Sequence, residues 1–452
     1  MGLDRSVSLT QATIYGIGVI LGAGIYALIG VAAGISGTSL WLSFILAAIV
    51  ASLTAFSYAE LSSRFPKEGA ESLYATKAFK SALIAFFVAF VFLFSNMFSV
   101  AAVSWGFATY AKLFVSISPM IVALVVVIAA SIVNFSGIKE SVFLNNIFTF
   151  VEALGLILII IFGLPFIGTT DLMSGINGET GFAIIPGIIG GISLVFFAFL
   201  GFEGIANIAE EVESAKKIVP KAIIFSLVIS TIIYVLVSLV AVSVISPSVL
   251  AESSLTGTAI NQGPLALVSE VVIGDGFGFW LSIIALFATF NTVLILMIVV
   301  SRFIYGLAKQ RLLPSFLGKI NDKTKTPTNA IVVTAAISMI FVSIGNLEVL
   351  GNMTTLGVFL LFFIVNVSLI AVRLKEKRPQ NYIALFNFGK IPLSAVLGAL
   401  FCAIMFLTQY WAPVTIAGFE APMIVMGLIF FLTAVPVYLF FSKKKNNLTF
   451  AN

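Results

Sequence analysis

Glu152 stands in the apolar run Phe150-Val151-Glu152-Ala153-Leu154, and Glu203 closes another, Phe197-Ala198-Phe199-Leu200-Gly201-Phe202-Glu203. A bare carboxylate in such surroundings costs about 3 kcal/mol or more, so each group carries a proton, holds a cation or is hydrogen-bonded to a neighbour. Glycines make the second unusual pattern: Gly16, Gly18, Gly22 and Gly24 in the first apolar stretch, Gly201 and Gly204 in the sixth. They let a helix unwind and present its peptide groups to a ligand. A dinucleotide-binding reading of Gly16/Gly18/Gly22 fails, because no strand precedes it and no acidic residue follows about 20 residues on. Histidine is absent and Cys402 is the one cysteine. Imidazole catalysis, most metal sites and an intrachain disulfide are thereby excluded. No Gly-x-x-x-x-Gly-Lys-Ser/Thr segment is present, which argues against direct ATP drive.

The elements that must position these residues follow from composition. The chain of 452 residues is 60% hydrophobic and 10% charged, where soluble domains carry about a quarter charged residues. Its solvent is lipid. Apolar segments long enough to cross about 30 Å of hydrocarbon are expected near 9–33, 38–62, 81–111, 119–137, 144–167, 187–211, 219–246, 277–305, 328–346, 349–373, 392–411 and 421–441. The expected fold is an all-α polytopic membrane protein of about twelve transmembrane helices in one integral-membrane domain. Gly2 and Ser6 fit the short myristoylation pattern, but a chain with many spans needs no lipid anchor. The first apolar stretch continues as a span and has no cleavable-signal pattern.

Basic residues set the expected orientation. With both termini cytoplasmic, the inner side holds Arg5, Arg64, Lys67, Lys77, Lys80, Lys139, Lys216, Lys217, Lys221, Arg302, Lys309, Arg311, Lys319, Lys323, Lys325, Arg373, Lys375, Lys377, Arg378, Lys390 and Lys443 to Lys445. Only Lys112 falls outside. The outer loops 168–186 and 247–276 carry Asp171, Glu179, Glu252, Glu270 and Asp275 and no Lys or Arg. This is the positive-inside pattern, and it leaves no continuous basic face for a nucleic acid. Glu210, Glu211, Glu213, Lys216 and Lys217 read as a solvated inner loop. Glu60 and Arg64 lie at the inner mouth, as a gating pair or as plain interfacial charges.

Gly22 sits about 20 Å into the first span at 1.5 Å per residue, and Gly201 is near mid-depth in the sixth. Interrupted spans in corresponding positions point to inverted repeats around a midplane site. Unwound backbone at that depth must line a cavity or meet a ligand. The half-helix starting near Ala23 offers N–H groups and a positive dipole end to a carboxylate. Carbonyls around Phe197–Gly201 can accept from an ammonium group. A zwitterion fits between them. The alternative is that these glycines only permit close helix packing.

Four segments resemble the amino acid–polyamine–organocation superfamily of permeases. They are Gly22-Ala23-Gly24-Ile25-Tyr26, the loop signature running from Tyr58 to Tyr74, the stretch Phe197 to Glu203 with Glu210-Glu211-Val212 and Val219-Pro220, and Ser301 to Pro314. The resemblance implies a 5+5 inverted repeat (leucine-transporter-type fold), with repeats at about 9–167 and 187–373, extra helices at about 392–441, and helices 1 and 6 broken. It implies a substrate site at Ile20, Gly22, Ala23, Gly24, Ile25, Phe197, Ala198, Phe199 and Gly201, with Phe197 as an aromatic lid. It also implies proton-coupled uptake or exchange of amino acids or amines.

One residue departs from that pattern. Many amino-acid-carrying members have a lysine where this chain has Glu152. Glu152 lies about 12 Å from the inner end of its span, and Asn291 and Thr292 about 15 Å by the same count, so the three can meet. Glu152 either titrates as the coupling group, helps bind a cation with Asn291 and Thr292, or is a protonated structural carboxyl. Glu203 is the second candidate proton carrier, or a helix cap. The expected function is secondary active amino acid transport across the plasma membrane by alternating access, without a cofactor beyond a coupling proton or sodium ion. A polyamine permease or an amino acid exchanger is the near alternative. A channel or non-transporting sensor on the same scaffold is the distant one, and a membrane enzyme lacks the clustered polar residues it needs. The partners expected are a small-molecule substrate and the bilayer.

Overall fold

A computed structural model describes residues 5–112, 114–253, 263–344, 347–375, 384, 386–408, 413–416 and 419–439. Gly2, Lys377, Arg378 and Lys443 to Lys445 lie outside them, as do the side chains of Ala23 and Lys139. The described helices run α1 (Leu9–Ser36), α2 (Leu40–Arg64), α3 (Ala70–Phe79), α4 (Ala82–Ala111), α5 (Pro119–Ser136), α6 (Ile138–Gly163), α7 (Ile185–Phe196) and α8 (Ala215–Val244). They continue as α9 (Pro247–Ser253), α10 (Pro264–Val272), α11 (Phe277–Lys309), α12 (Thr328–Val342), α13 (Leu347–Lys375), α14 (Leu393–Thr408) and α15 (Met423–Leu432). The described strands form two short hairpins, Asn387–Phe388 with Ile391–Pro392 and Pro413–Ile416 with Phe419–Pro422.

Each expected span coincides with a described helix over at least part of its length; the sixth, 187–211, is α-helical only to Phe196. By length and composition nine described segments can cross a membrane, and Thr328–Val342, Leu393–Leu407 and Met423–Leu439 are shorter apolar helices. The expected loop signature after the second span contains α3 instead of open loop. Gly69 and Lys80, both left-handed, begin and end it, and its ten residues are too short and too polar to register as a span. The segment 247–276, expected as an outer loop, likewise carries α9 and α10.

Packing separates lipid from core. Phe143, Phe150, Ile132, Ile232 and Ile340 are each more than half exposed, as side chains facing hydrocarbon must be. The centre is α1, which touches α6, α7, α8, α10 and α11. Helix α4 packs along both α11 and α13, with Phe92 stacked on Phe303 at 4.0 Å. At one end of the bundle Ser6 and Val7 donate backbone hydrogen bonds to Glu211 O, and Glu213 N returns one to Val7 O. The start of the chain is thus stapled to the segment following the sixth span.

Candidate functional site

Helix α1 is broken at Gly22, whose φ of −34° and ψ of −139° lie outside the helical region. Side chains crowd the break from both sides: a Cβ on Gly22 would collide with the Thr292 hydroxyl, and one on Gly18 with Thr149. Gly24 lies directly against the backbone of Ala198, where an added Cβ would be 2.7 Å from Ala198 Cα. The first span is therefore packed, backbone to backbone, on the interruption in the sixth.

That second interruption is longer. Helix α7 ends at Phe196 and passes into a 3-10 turn, Phe197–Phe199. Leu200 is extended and Gly201 adopts φ +119°, after which a 3-10 segment runs from Phe202 to Ile208. Only glycine takes that φ without strain, and any side chain there would also strike Val19. Glu203 Oε2 accepts from Gly201 N at 2.9 Å, so the carboxyl caps the restarting turn.

Between the breaks lies a hollow with about 510 Å³ of space between its atoms, its open mouth included. Val19, Ile20 and Gly24 form its wall from α1, and Phe197, Ala198, Leu200, Gly201 and Glu203 form the facing wall. Helix α4 adds Ser95, Asn96, Ser99 and Val103, α11 adds Thr292 and Leu296, and α13 adds Thr354 and Val358. Gly22, Ile25 and Phe199 are not among these residues; Gly22 faces the Thr292 hydroxyl instead. Ile25 is fully buried, and Phe199 packs edge-on against Phe44 and Tyr234. The Tyr234 hydroxyl reaches the carbonyl of Ile20 at one break and that of Ala198, at 3.1 Å, at the other. One O–H shared by two freed carbonyls ties the broken helices together.

Glu152 is completely buried, and neither of its carboxyl oxygens has a hydrogen-bond partner among the described residues. Its expected companions are placed differently from that expectation. Asn291 Nδ2 donates to Thr149 Oγ1 at 3.2 Å, and Thr149 in turn donates to Asn145 Oδ1 at 3.4 Å. Thr292 Oγ1 donates to Ala288 O at 3.0 Å. The α6–α11 bridge thus passes through Thr149, one turn before Glu152, because the polar faces meet one turn off the counted depth. Tyr26 reaches Glu152 through its backbone carbonyl, at 3.4 Å.

The end of the bundle bearing Arg64, Lys67, Lys80 and Lys309, the basic end, holds a second set of charges. Glu60 accepts from Arg64 Nη2 at 2.8 Å, from Arg373 Nε at 2.8 Å and again through Arg373 Nη2, and from Ala384 N at 2.8 Å. Since Glu60 and Arg373 are essentially unexposed, this is a buried ion cluster rather than a set of interfacial charges. The solvated-loop reading of Glu211 is also corrected. It is fully buried, 3.5 Å from Arg302, itself fully buried. The fold covers it because the Val7 pairing and α11 close over residues 209–213. Glu71 is buried as well and accepts two hydrogen bonds from Asn207 Nδ2, at 3.1 and 2.9 Å. Burial pushes its carboxyl up to about 8, against the opposing pull of that Asn207 contact.

Residues 7–435 match the amino acid permease family. The chain belongs to that family. Among curated relatives, the branched-chain amino acid permease BcaP of Bacillus subtilis is 28% identical over 99% of this chain and 95% of its own length. The methylthioribose transporter of the same organism is 26% identical, over 88% of this chain and 87% of its own length. A vacuolar cationic amino acid transporter of Arabidopsis thaliana is 27% identical, over 82% of this chain and 60% of its own length. The protein is thus a multi-pass membrane permease and not an enzyme.

The permease's sequence pointed to both breaks but missed Tyr234 and the α4 residues Ser95, Asn96 and Ser99. A lone tyrosine and scattered small hydroxyls in long apolar helices carry no pattern of their own. They become visible only when the helices cross the hollow.

Proposed function

We propose that this permease is a secondary active transporter of amino acids that binds its substrate in the hollow between the two broken helices and works by alternating access. The observation that carries this is the apposition of Ile20 and Gly24, which flank the α1 break at Gly22, and Leu200–Gly201 around one cavity. The restarting half of α1 presents N–H groups and the positive end of its dipole to a carboxylate, and the opposite break supplies carbonyl acceptors for an ammonium group. We read residues 9–167 and 187–373 as inverted repeats with 392–441 appended, and the basic end as cytoplasmic in a plasma membrane, by the positive-inside rule.

Val103, Leu296 and Val358 add an apolar patch beside the polar groups of Ser95, Asn96, Ser99, Thr292 and Thr354, which favours a neutral aliphatic side chain and agrees with the branched-chain specificity in the name of the Bacillus subtilis permease. Glu203 on the same wall favours the second reading, a cationic amino acid or amine. Glu152 is the coupling group, titrating or holding a cation. A thermal-shift screen of purified protein against all amino acids, polyamines and methylthioribose separates these readings. A ligand at about 100 times its Kd stabilises by about 2.7 kcal/mol. Aliphatic amino acids are expected to raise Tm and to be taken up by proteoliposomes. A shift with polyamines or methylthioribose alone would overturn the amino acid reading.

A further inference from the structure

We propose that Glu68 is a second proton-binding site, located at the basic end, whose occupancy holds that end shut. Glu68 lies on the link 65–69 between α2 and α3. It is 1% exposed, and neither carboxyl oxygen has a hydrogen-bond partner among the described residues. The link is pressed onto α11. Gln310 Nε2 donates to Glu68 O at 3.2 Å and to Gly69 O at 3.3 Å, and a Cβ on Gly306 would stand 2.6 Å from the Glu68 carbonyl carbon.

The charged and titratable groups around Glu68 come from three elements. Residues 209–213 bring Glu210 and Glu211, α11 brings Arg302, Tyr305 and Lys309, and α1 brings Tyr15 beside Arg302 and Glu211. The cations are already engaged. Arg302 lies 3.5 Å from Glu211 and donates to Asn134 and Ser301, while Lys309 lies 3.6 Å from Glu210 at the rim. Glu68 is a third carboxyl among two cations. A buried charge without compensation neutralises instead, and burial together with the charge of Glu211 pushes this carboxyl well above the usual carboxylate range. Opening the basic end requires the link to leave α11. Water then reaches Glu68, its acidity returns to that of an ordinary carboxyl, and the proton leaves on that side. Protonation therefore favours the closed end, and closure weakens as pH rises. The site rests on the carrier reading only for this direction of release.

The test uses purified full-length protein without substrate, so its outcome is independent of whether uptake is found. A S63C reporter at the buried end of α2, in a C402A background, is labelled with a maleimide across pH 5 to 9, and rates are divided by those of the denatured protein. Labelling is expected to rise with pH, by at most about tenfold per unit for one proton. E68Q is expected to abolish the step and keep the site covered, E68D to restore a step at a moved midpoint, and E211Q to lower the midpoint by about one pH unit. A flat parent profile, a step that survives E68Q, or a midpoint indifferent to E211Q overturns the proposal.

Discussion

Glu152 and Gly24 show how much a single position weighs in a low-dielectric bundle. An unpartnered carboxyl at full burial is tolerated only uncharged or with a bound cation, so Glu152→Gln is a sharp probe. The substitution keeps shape and removes the titration. E152Q is expected to bind substrate normally but to lose the response of liposome uptake to an imposed pH gradient; a parent-like response would end the coupling role. Gly24 tests the site itself. A Cβ added there would stand 2.7 Å from Ala198 Cα, so Gly24→Val must push the two breaks apart. G24V is expected to fold, because the bundle is anchored elsewhere, yet to lose uptake by about tenfold or more, equivalent to about 1.4 kcal/mol or more of lost binding. Isothermal titration of the purified variant checks this.

At the scale of elements, α3 is the part whose docking depends on protons. Asn207, in the half of the broken sixth span that follows Gly201, donates to both oxygens of Glu71 and accepts from Ala70 N at 3.0 Å. Lys375 Nζ on α13 donates to Ala78 O at 2.6 Å. With the Glu71 carboxyl raised to about 8 by burial, the folded state holds a proton that the unfolded chain releases at ordinary carboxylate acidity. Its stabilising contribution is therefore whole in acid and is lost as pH climbs through about 8. Tm of the parent is expected to fall between about pH 5 and 8 and then level off, and Glu71→Gln to flatten part of that slope in a thermal-shift series. An identical slope in E71Q would remove Glu71 from the account.

The whole molecule is organised by where charge lies relative to lipid. If the basic end is cytoplasmic, a cysteine placed at Asn177, in the exposed outer loop, is labelled by an impermeant maleimide in intact cells, and one at Lys323 only after permeabilisation. The reverse pattern would invert the proposed topology. The buried Glu60–Arg373 cluster joins α2 to α13 at the basic end, and removing one partner of such a pair costs about 3–5 kcal/mol. Ion pairs as well as apolar contacts therefore tie α2 to α13 at that end.

The amino-acid sequence by itself determined the spans, their number and the two interruptions. Hydrocarbon thickness dictates helix length, and a helix deep in lipid breaks visibly at Gly22 and Gly201, so these features are local and one-dimensional. The sequence also singled out Glu152 and Glu203, because a carboxyl in an apolar run is costly wherever the run packs. Other features belonged to the tertiary structure alone. Asn291 bridges to Thr149 rather than to Glu152, Tyr234 spans the two breaks, α4 supplies a wall of the hollow, and Glu68, Glu211 and Arg302 are buried together. Each depends on which faces of distant helices meet. A register difference of one turn changes the partner, and a loop that reads as solvated becomes core once α11 and the first residues of the chain close over it.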